Sequence, residues 1–290
     1  MKNITNILLG LWFLTSCTPD PIEVDIPQAP QRIVVASQQI EGNSLVIVLS
    51  RTFSALENKK IDIADTTKPL PEELLVKGAT VTITVGGLIT ELEELSPGVY
   101  ISTFLVGENY QSYLLNVIDH EKQQHVISQA IKLPKVTLDT VGIKPITSST
   151  NEYLLHYAFT DNPNEQNWYV INFYTRDNAS DSFQGKPNVD YVAKRLLEQR
   201  LDFDLVTEKD IVNGKYQITK KFTSNKLDTF GIALSNISEG YYQFLAAQKK
   251  FSSVANKIRG EIINMPSNIQ NGYGFFNMHT PDPWLIQLNQ

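Results

Sequence analysis

One thiol, four imidazoles and a few short carboxylate clusters are the groups in this 290-residue chain whose types and spacing could do chemistry. The thiol belongs to Cys17, the only cysteine, which closes the tetrapeptide Leu14-Thr15-Ser16-Cys17. Before it lie Lys2 and an apolar run over residues 7–14. A positive charge, an apolar run too short to span a bilayer and small residues before a cut together describe a removable export segment. With Leu14 and the small pair placed directly before Cys17, the pattern predicts lipidation, with diacylglycerol on the sulfur and an acyl chain on the new amino group. Each buried methylene is worth about 0.8 kcal/mol, so several chains make a durable anchor. A lone cysteine closes no disulfide within the chain, and acylation would remove a free thiol from an oxidising compartment.

The other candidates read more plainly. His120 and His125 stand near Asp119 and Glu121 and could be written as a metal cluster, but they fall between two alternating apolar runs and fit a solvated hairpin better. His156 falls on the outward side of its run, and His279 lies in the terminal segment. Glu91, Glu93 and Glu94 fit a wet edge or turn better than a paired-acid hydrolytic site. Asp161, Asn162, Asn164 and Glu165 offer oxygen ligands without the ordered spacing of a calcium loop, so a turn is expected. Asp202 and Asp204 flank Phe203 like the wet face of an edge strand. A Gly-x-Ser-x-Gly elbow, a His-Glu-x-x-His helix and a phosphate-binding Gly-rich loop are all absent from the sequence. The expectation is no catalytic residue, no metal and no cofactor, with a hydrolase as the weakest alternative.

Aromatic side chains offer a different chemistry, stacking on a sugar or a peptide. Trp12 leaves with the export segment, Trp168 sits in a strongly apolar run, and Trp284 follows Pro281-Asp282-Pro283. Trp284, Tyr273, Phe275 and Phe276 are therefore the candidate ligand or partner contacts. Gly272 and Gly274 beside them suggest a close backbone approach. The competing expectation is that this apolar ending folds back and plugs the second domain.

These groups need elements to position them, and the dominant period along the body is two. Apolar alternation over residues 33–36, 45–49, 81–85, 99–103, 113–117 and 127–133 predicts short strands. Glu41-Gly42-Asn43, Gly86-Gly87 and Ser96-Pro97-Gly98 predict the turns between them. Residues 52–76 lack a period and read as a surface insertion. After Leu133-Pro134-Lys135 the alternation restarts over 153–160, 168–174, 216–222 and 230–234. Near-helical spacing predicts helices at 189–201 and 241–254, the second capped by Ser238. The expected organisation is an export signal at 1–16, an acidic proline-bearing tether at 17–30, an immunoglobulin-like β-sandwich at 31–134, and a second β-rich domain with helical insertions and a docked C-terminal segment at 135–290. The fold class is mainly β, two sandwich-like domains. A formal charge of −6 argues against a nucleic-acid partner.

Gly78-Ala79-Thr80-Val81-Thr82-Ile83, Ser96-Pro97-Gly98-Val99-Tyr100 and the run at 113–117 resemble the carboxypeptidase-regulatory-like sandwich of many surface proteins. The lipid signal, Val34-Val35, the segment 203–216, Tyr241-Tyr242 and the ending Ser267-Asn268-Ile269-Gln270-Asn271-Gly272-Tyr273-Gly274-Phe275-Phe276 are similar, over nearly the whole mature chain, to a Bacteroidota outer-membrane lipoprotein family. That family is described as a domain of unknown function, number forty-two forty-nine. The resemblance brings no catalytic residue. It implies an outer-membrane location, with surface exposure favoured by the acidic residues after Cys17, and service to a TonB-dependent receptor, near which members are often encoded. The leading expectation is a non-enzymatic accessory or ligand-capturing partner of such a receptor. A stand-alone surface binder of glycan or peptide is the alternative.

Overall fold

The computed structural model describes residues 30–40, 44–52, 71–102, 107–147, 152–176, 200–223, 229–252 and 265–287. Cys17, nearly all of the tether and most of the 52–76 insertion lie outside them. So do residues 189–199 of the first expected helix. Its last two residues, Arg200 and Leu201, instead open a strand, because Leu201, Phe203 and Leu205 alternate with polar residues at period two.

Alternation produces the first half. Strands β1 (Ile33–Ile40), β2 (Ser44–Arg51), β3 (Thr80–Val85), β4 (Leu88–Glu91), β5 (Glu93–Ser96), β6 (Val99–Ser102), β7 (Ser112–Asp119) and β8 (Gln124–Ile131) form two facing sheets. One has the order β5-β6-β2-β1 with a further strand outside β1; the other is β4-β3-β7-β8. Every second residue of β3 and β7 is buried, so Val81, Ile83, Tyr113, Leu115 and Val117 meet Ile33, Leu45, Ile47 and Tyr100 in one core. The β3–β4 reversal uses Gly86 and Gly87, both at positive φ, which glycine adopts without a Cβ penalty. Glu91, Glu93 and Glu94 do fall on edge strands, β4 and β5, where the chain steps from one sheet to the other at buried Leu92.

The second half is a more aromatic pair of sheets. Strands β9 (Leu138–Pro145), β10 (Glu152–Thr160), β11 (Trp168–Arg176), β12 (Arg200–Thr207), β13 (Lys215–Thr223) and β14 (Thr229–Ile237) give the sheets β13-β10-β9 and β12-β11-β14 plus one terminal strand. Between them pack Tyr157, Phe159, Tyr169, Phe173, Phe222 and Phe230, with rings 4.8 Å apart for Phe159–Tyr169 and 5.0 Å for Phe222–Phe230. Helix α1 (Glu239–Ser252) covers the outer face of β11, β12 and β14. Leu245, Tyr241 and Phe244 lie over Val170, Trp168, Phe203 and Leu205. Ser238 caps it as expected, its Oγ accepting from Tyr241 N at 3.3 Å, and Lys249 and Lys250 lie in its last turn, where the helix dipole favours cations. The fold is thus mainly β, with sheets packed in pairs as sandwiches.

The terminal segment departs from expectation. Strand β15 (Tyr273–Phe275) runs parallel to β1 of the first sandwich, Val34 opposite Tyr273 and Ala36 opposite Phe275. Ile269, Phe276 and Met278 enter the first core. Only β16 (Asp282–Gln287) joins the second half, antiparallel to β14. The tail plugs the first sandwich, not the second. The physical reason is a gap: among the described residues no other strand lies between the edges of β1 and β8, whereas the second sandwich needs only an edge beside β14.

Candidate functional site

The residues singled out in the tail separate into two kinds. Phe275 and Phe276 are buried; Tyr273 and Trp284 are 49% and 39% exposed. Phe276 is a core residue of the first sandwich. The Phe275 ring lies 5.3 Å from that of Tyr241 and 5.5 Å from that of Phe244, so it joins β15 to the start of α1. Trp284 donates its indole Nε1 to Asp282 Oδ2 at 3.3 Å. Asp282 also accepts from Leu138 N at 3.0 Å and pairs with Lys135 at 2.8 Å. Trp284 thus takes part in closing the β9–β16 side of the second sandwich.

Between Phe275 and Asp282 the tail builds a buried polar node. The Ser37 hydroxyl of β1 accepts from Asn277 N at 2.9 Å. Asn277 Oδ1 accepts from Ser238 Oγ at 3.3 Å, and Asn277 Nδ2 donates to His279 Nδ1 at 2.8 Å. His279 lies 6.0 Å, ring to ring, from Tyr241. Ser37, Asn277 and His279 are all buried. The hydroxyl that starts α1 and the hydroxyl on β1 therefore meet on one asparagine, which ties the two halves together. Sequence spacing did not single out Ser37 or Asn277; a polar residue buried within an apolar ending was the available signal.

The remaining charged clusters are occupied internally. Arg51 at the end of β2 reaches across the first sandwich to Asp119 at 2.5 Å and to Glu121 at 3.1 Å; Arg51 and Asp119 are buried. Burial alone would push the Asp119 carboxyl up, but the Arg51 guanidinium and the backbone N–H groups of Lys122 and Glu121 hold it below the ordinary carboxylate range. His120 bonds Thr80 Oγ1 at 2.8 Å and His125 bonds Asn116, so the pair belongs to the β7–β8 hairpin, as its spacing between two strands implied. In the Asp161 turn, Asn167 Nδ2 donates to Asp161 Oδ1, Asn162 O and Glu165 O at 3.1–3.3 Å, placing an amide where a cation would need those oxygens. Glu165 accepts from Tyr110 of the first sandwich at 2.6 Å.

Asp204 reverses its expected face. It points between the sheets and accepts from the hydroxyl of buried Tyr157 at 2.7 Å and from Lys220 at 2.8 Å. Lys220 also sits 4.4 Å above the Phe173 ring. Burial, then the Asp204 contact, pushes the Tyr157 hydroxyl far up, so it remains a donor. The period-two reading of β12 was right, but α1 covers the Phe203 side and Asp204 turns inward, while Asp202 stays exposed as expected and lies 3.7 Å from Lys249 of α1. Among the described residues no group of three His, Cys, Asp or Glu is placed to hold a metal ion, and no helix is long and apolar enough to cross a membrane.

Two β-sandwiches joined by a terminal segment that supplies a strand to each define the class. The chain belongs to the family described as a domain of unknown function, DUF4249, whose model matches residues 19–282. No curated protein matches the chain.

Proposed function

We propose that this chain is a lipid-anchored outer-membrane protein that acts, without catalysis of its own, as an accessory or ligand-capturing partner of a TonB-dependent receptor. The observation that carries a partner is the outer face of the sheet β4-β3-β7-β8. On it Ile89, Leu114, Ile118 and Ile131 are exposed, Ile89 by 67%, among Thr80, Thr82, Thr84, Asn116 and Gln129. Aliphatic side chains grouped on a nearly uncharged sheet face are the usual material of a contact surface. The anchor rests on the pattern ending at Cys17, and the choice of receptor rests on the family resemblance. The non-catalytic reading is supported by the commitment of Asp119, Asp161 and Asp204 to buried partners.

Affinity recovery of the full-length lipidated protein from solubilised outer membranes tests this. The receptor co-purifies with the native chain, and Leu114→Asp with Ile118→Asp reduces its recovery while leaving the protein in the membrane fraction. Recovery of no receptor at native expression would overturn the accessory role. Cys17→Ser is expected to release the protein from the membrane; unchanged sedimentation would refute lipidation. The alternative, a stand-alone glycan or peptide binder, is favoured by the exposure of Tyr273 and Trp284 and predicts that Tyr273→Ala or Trp284→Ala abolishes retention on a glycan or peptide array.

A further inference from the structure

The first sandwich is completed by residues that follow β8 by more than a hundred positions, and the way they fit is that of a bound peptide. Along the edge of β8 the carbonyls of His125, Ile127 and Gln129 point away from β7. They are met, in turn, by Asn271 Nδ2 at 3.4 Å, Gln270 N at 2.9 Å and Asn268 Nδ2 at 3.3 Å. Ser128 Oγ returns a bond to Asn268 O at 3.0 Å. On the other side β15 adds to the edge of β1 in parallel. Between the two edges Ile269, Phe276 and Met278 fill the core. Main-chain pairing along an edge with alternate side chains in pockets is how extended peptides are recognised by strand addition.

The docked segment also bonds to itself. Asn268 Oδ1 accepts from Phe276 N at 2.9 Å while Asn268 Nδ2 donates to Phe276 O at 2.7 Å, so one side-chain amide closes the loop 268–276 on itself. The groove demands glycine at two points: a Cβ would stand 2.0 Å from Val35 O at Gly274, where φ is +94°, and 2.7 Å from Ile33 O at Gly272. Shape selection at Gly274, pockets for Ile269 and Phe276, and three edge carbonyls define a ligand pattern of Asn-Ile-Gln-Asn-Gly-x-Gly-Phe-Phe.

We propose that the cleft between β1 and β8 is an acceptor site for a looped peptide of this pattern, which pairs with both edges, and that the chain's own residues 267–279 are its resident occupant. The site depends on neither the anchor nor a receptor, so it stands or falls apart from the function proposed above. A peptide in trans should enter only when the resident segment is displaced, since the two compete for one groove.

The test uses the full-length chain carrying Gly274→Ala and a fluorescent synthetic peptide of residues 265–280 with the native sequence. Amide exchange should show Val35 and Ser37, whose backbone N–H groups face β15, losing protection in the variant, and the peptide should bind it saturably and restore that protection. Affinity for the native chain, and affinity of a peptide carrying Gly274→Ala for the variant chain, should each be at least about tenfold weaker. Should the Gly274→Ala chain fail to fold, Asn268→Ala loosens the resident segment without a clash and carries the same comparison. Equal peptide binding to native and variant chains, or no binding to a folded variant, overturns the proposal. So does native protection of Val35 and Ser37 in both variants.

Discussion

The two sandwiches solve the same problem, closing two facing sheets, with materials drawn from different distances along the chain. The second is built almost wholly from consecutive strands, and its core is a cluster of aromatic rings from β10, β11, β13 and β14. Its open mouth between β12 and β13 is stoppered by polar groups, Lys220 and Asp204, over the Tyr157 hydroxyl. The first has an aliphatic core, a buried ion pair and a missing strand, which the end of the chain supplies. An edge strand with an inward-facing lysine can stand exposed without inviting another strand. An edge left beside an apolar gap has to be covered, and β15 covers it.

The comparison is broken most directly by Phe276→Ala. Phe276 is fully buried in the first core, and truncating a buried Phe typically costs about 3–5 kcal/mol. Although residue 276 follows β9 to β14 of the second sandwich in sequence, hydrogen exchange should show lost protection in β1 and β8, with β10 and β11 much less affected. Phe159→Ala should cost a similar amount and give the reverse pattern. If Phe276→Ala instead loosened β10 and β11 first, the assignment of the tail to the first sandwich would be wrong.

Next in size is Arg51→Met, which leaves the Asp119 carboxylate buried without its cation. Breaking a buried pair in this one-sided way costs about 3–5 kcal/mol, measurable by denaturant titration. Adding Asp119→Asn should recover part of the loss. Because the Asp119 carboxyl is held below its ordinary range, its stabilisation is complete above the unfolded-state value and disappears as pH falls through the lowered one. Acid titration should therefore unfold the first sandwich in a step that Asp119→Asn reduces. An acid profile identical in both proteins would count against that linkage.

Smaller effects sharpen the contrast. Ser238→Ala removes the cap of α1 and one bond to Asn277, and a lost cap is typically worth about 1 kcal/mol. Thermal unfolding should register it, with exchange rising at the start of α1 and at Asn277 together. Lys220→Met, at a partly exposed pair, should cost less than about 1 kcal/mol; its larger consequence would be an unblocked β12–β13 mouth, read as increased self-association. Tyr110→Phe, which removes the exposed hydroxyl that reaches Glu165, is expected to leave the melting curve in place.

The strands most legible in the sequence were those with one dry and one wet face, such as β3 and β7, where burial imposes strict alternation. Strand β9 was not legible, because Val-Gly-Ile near its middle breaks the period and, beyond buried Leu138, its residues are half-buried or exposed. Strand β15 is three residues long and carries its information in Gly274 and Phe276, which mark a close approach without naming the partner. The hairpin nature of His120 and His125 was legible from their position between two strands. The inward turn of Asp204 was not, since period two fixes which residues share a face but not which face α1 covers.

By itself the sequence determined the pattern around Cys17, the β class, the turns at Gly86-Gly87 and Ser96-Pro97-Gly98, the capped helix after Ser238, and an apolar ending that had to be buried. These are local properties, set by short-range sterics and by the period of apolar residues. Tertiary structure decided where that ending goes, which edge it pairs with, and that Ser37, Ser238 and Asn277 meet in one buried node. Such choices depend on the geometry left open between two packed sheets, and a gap between β1 and β8 exists only after both sheets have formed.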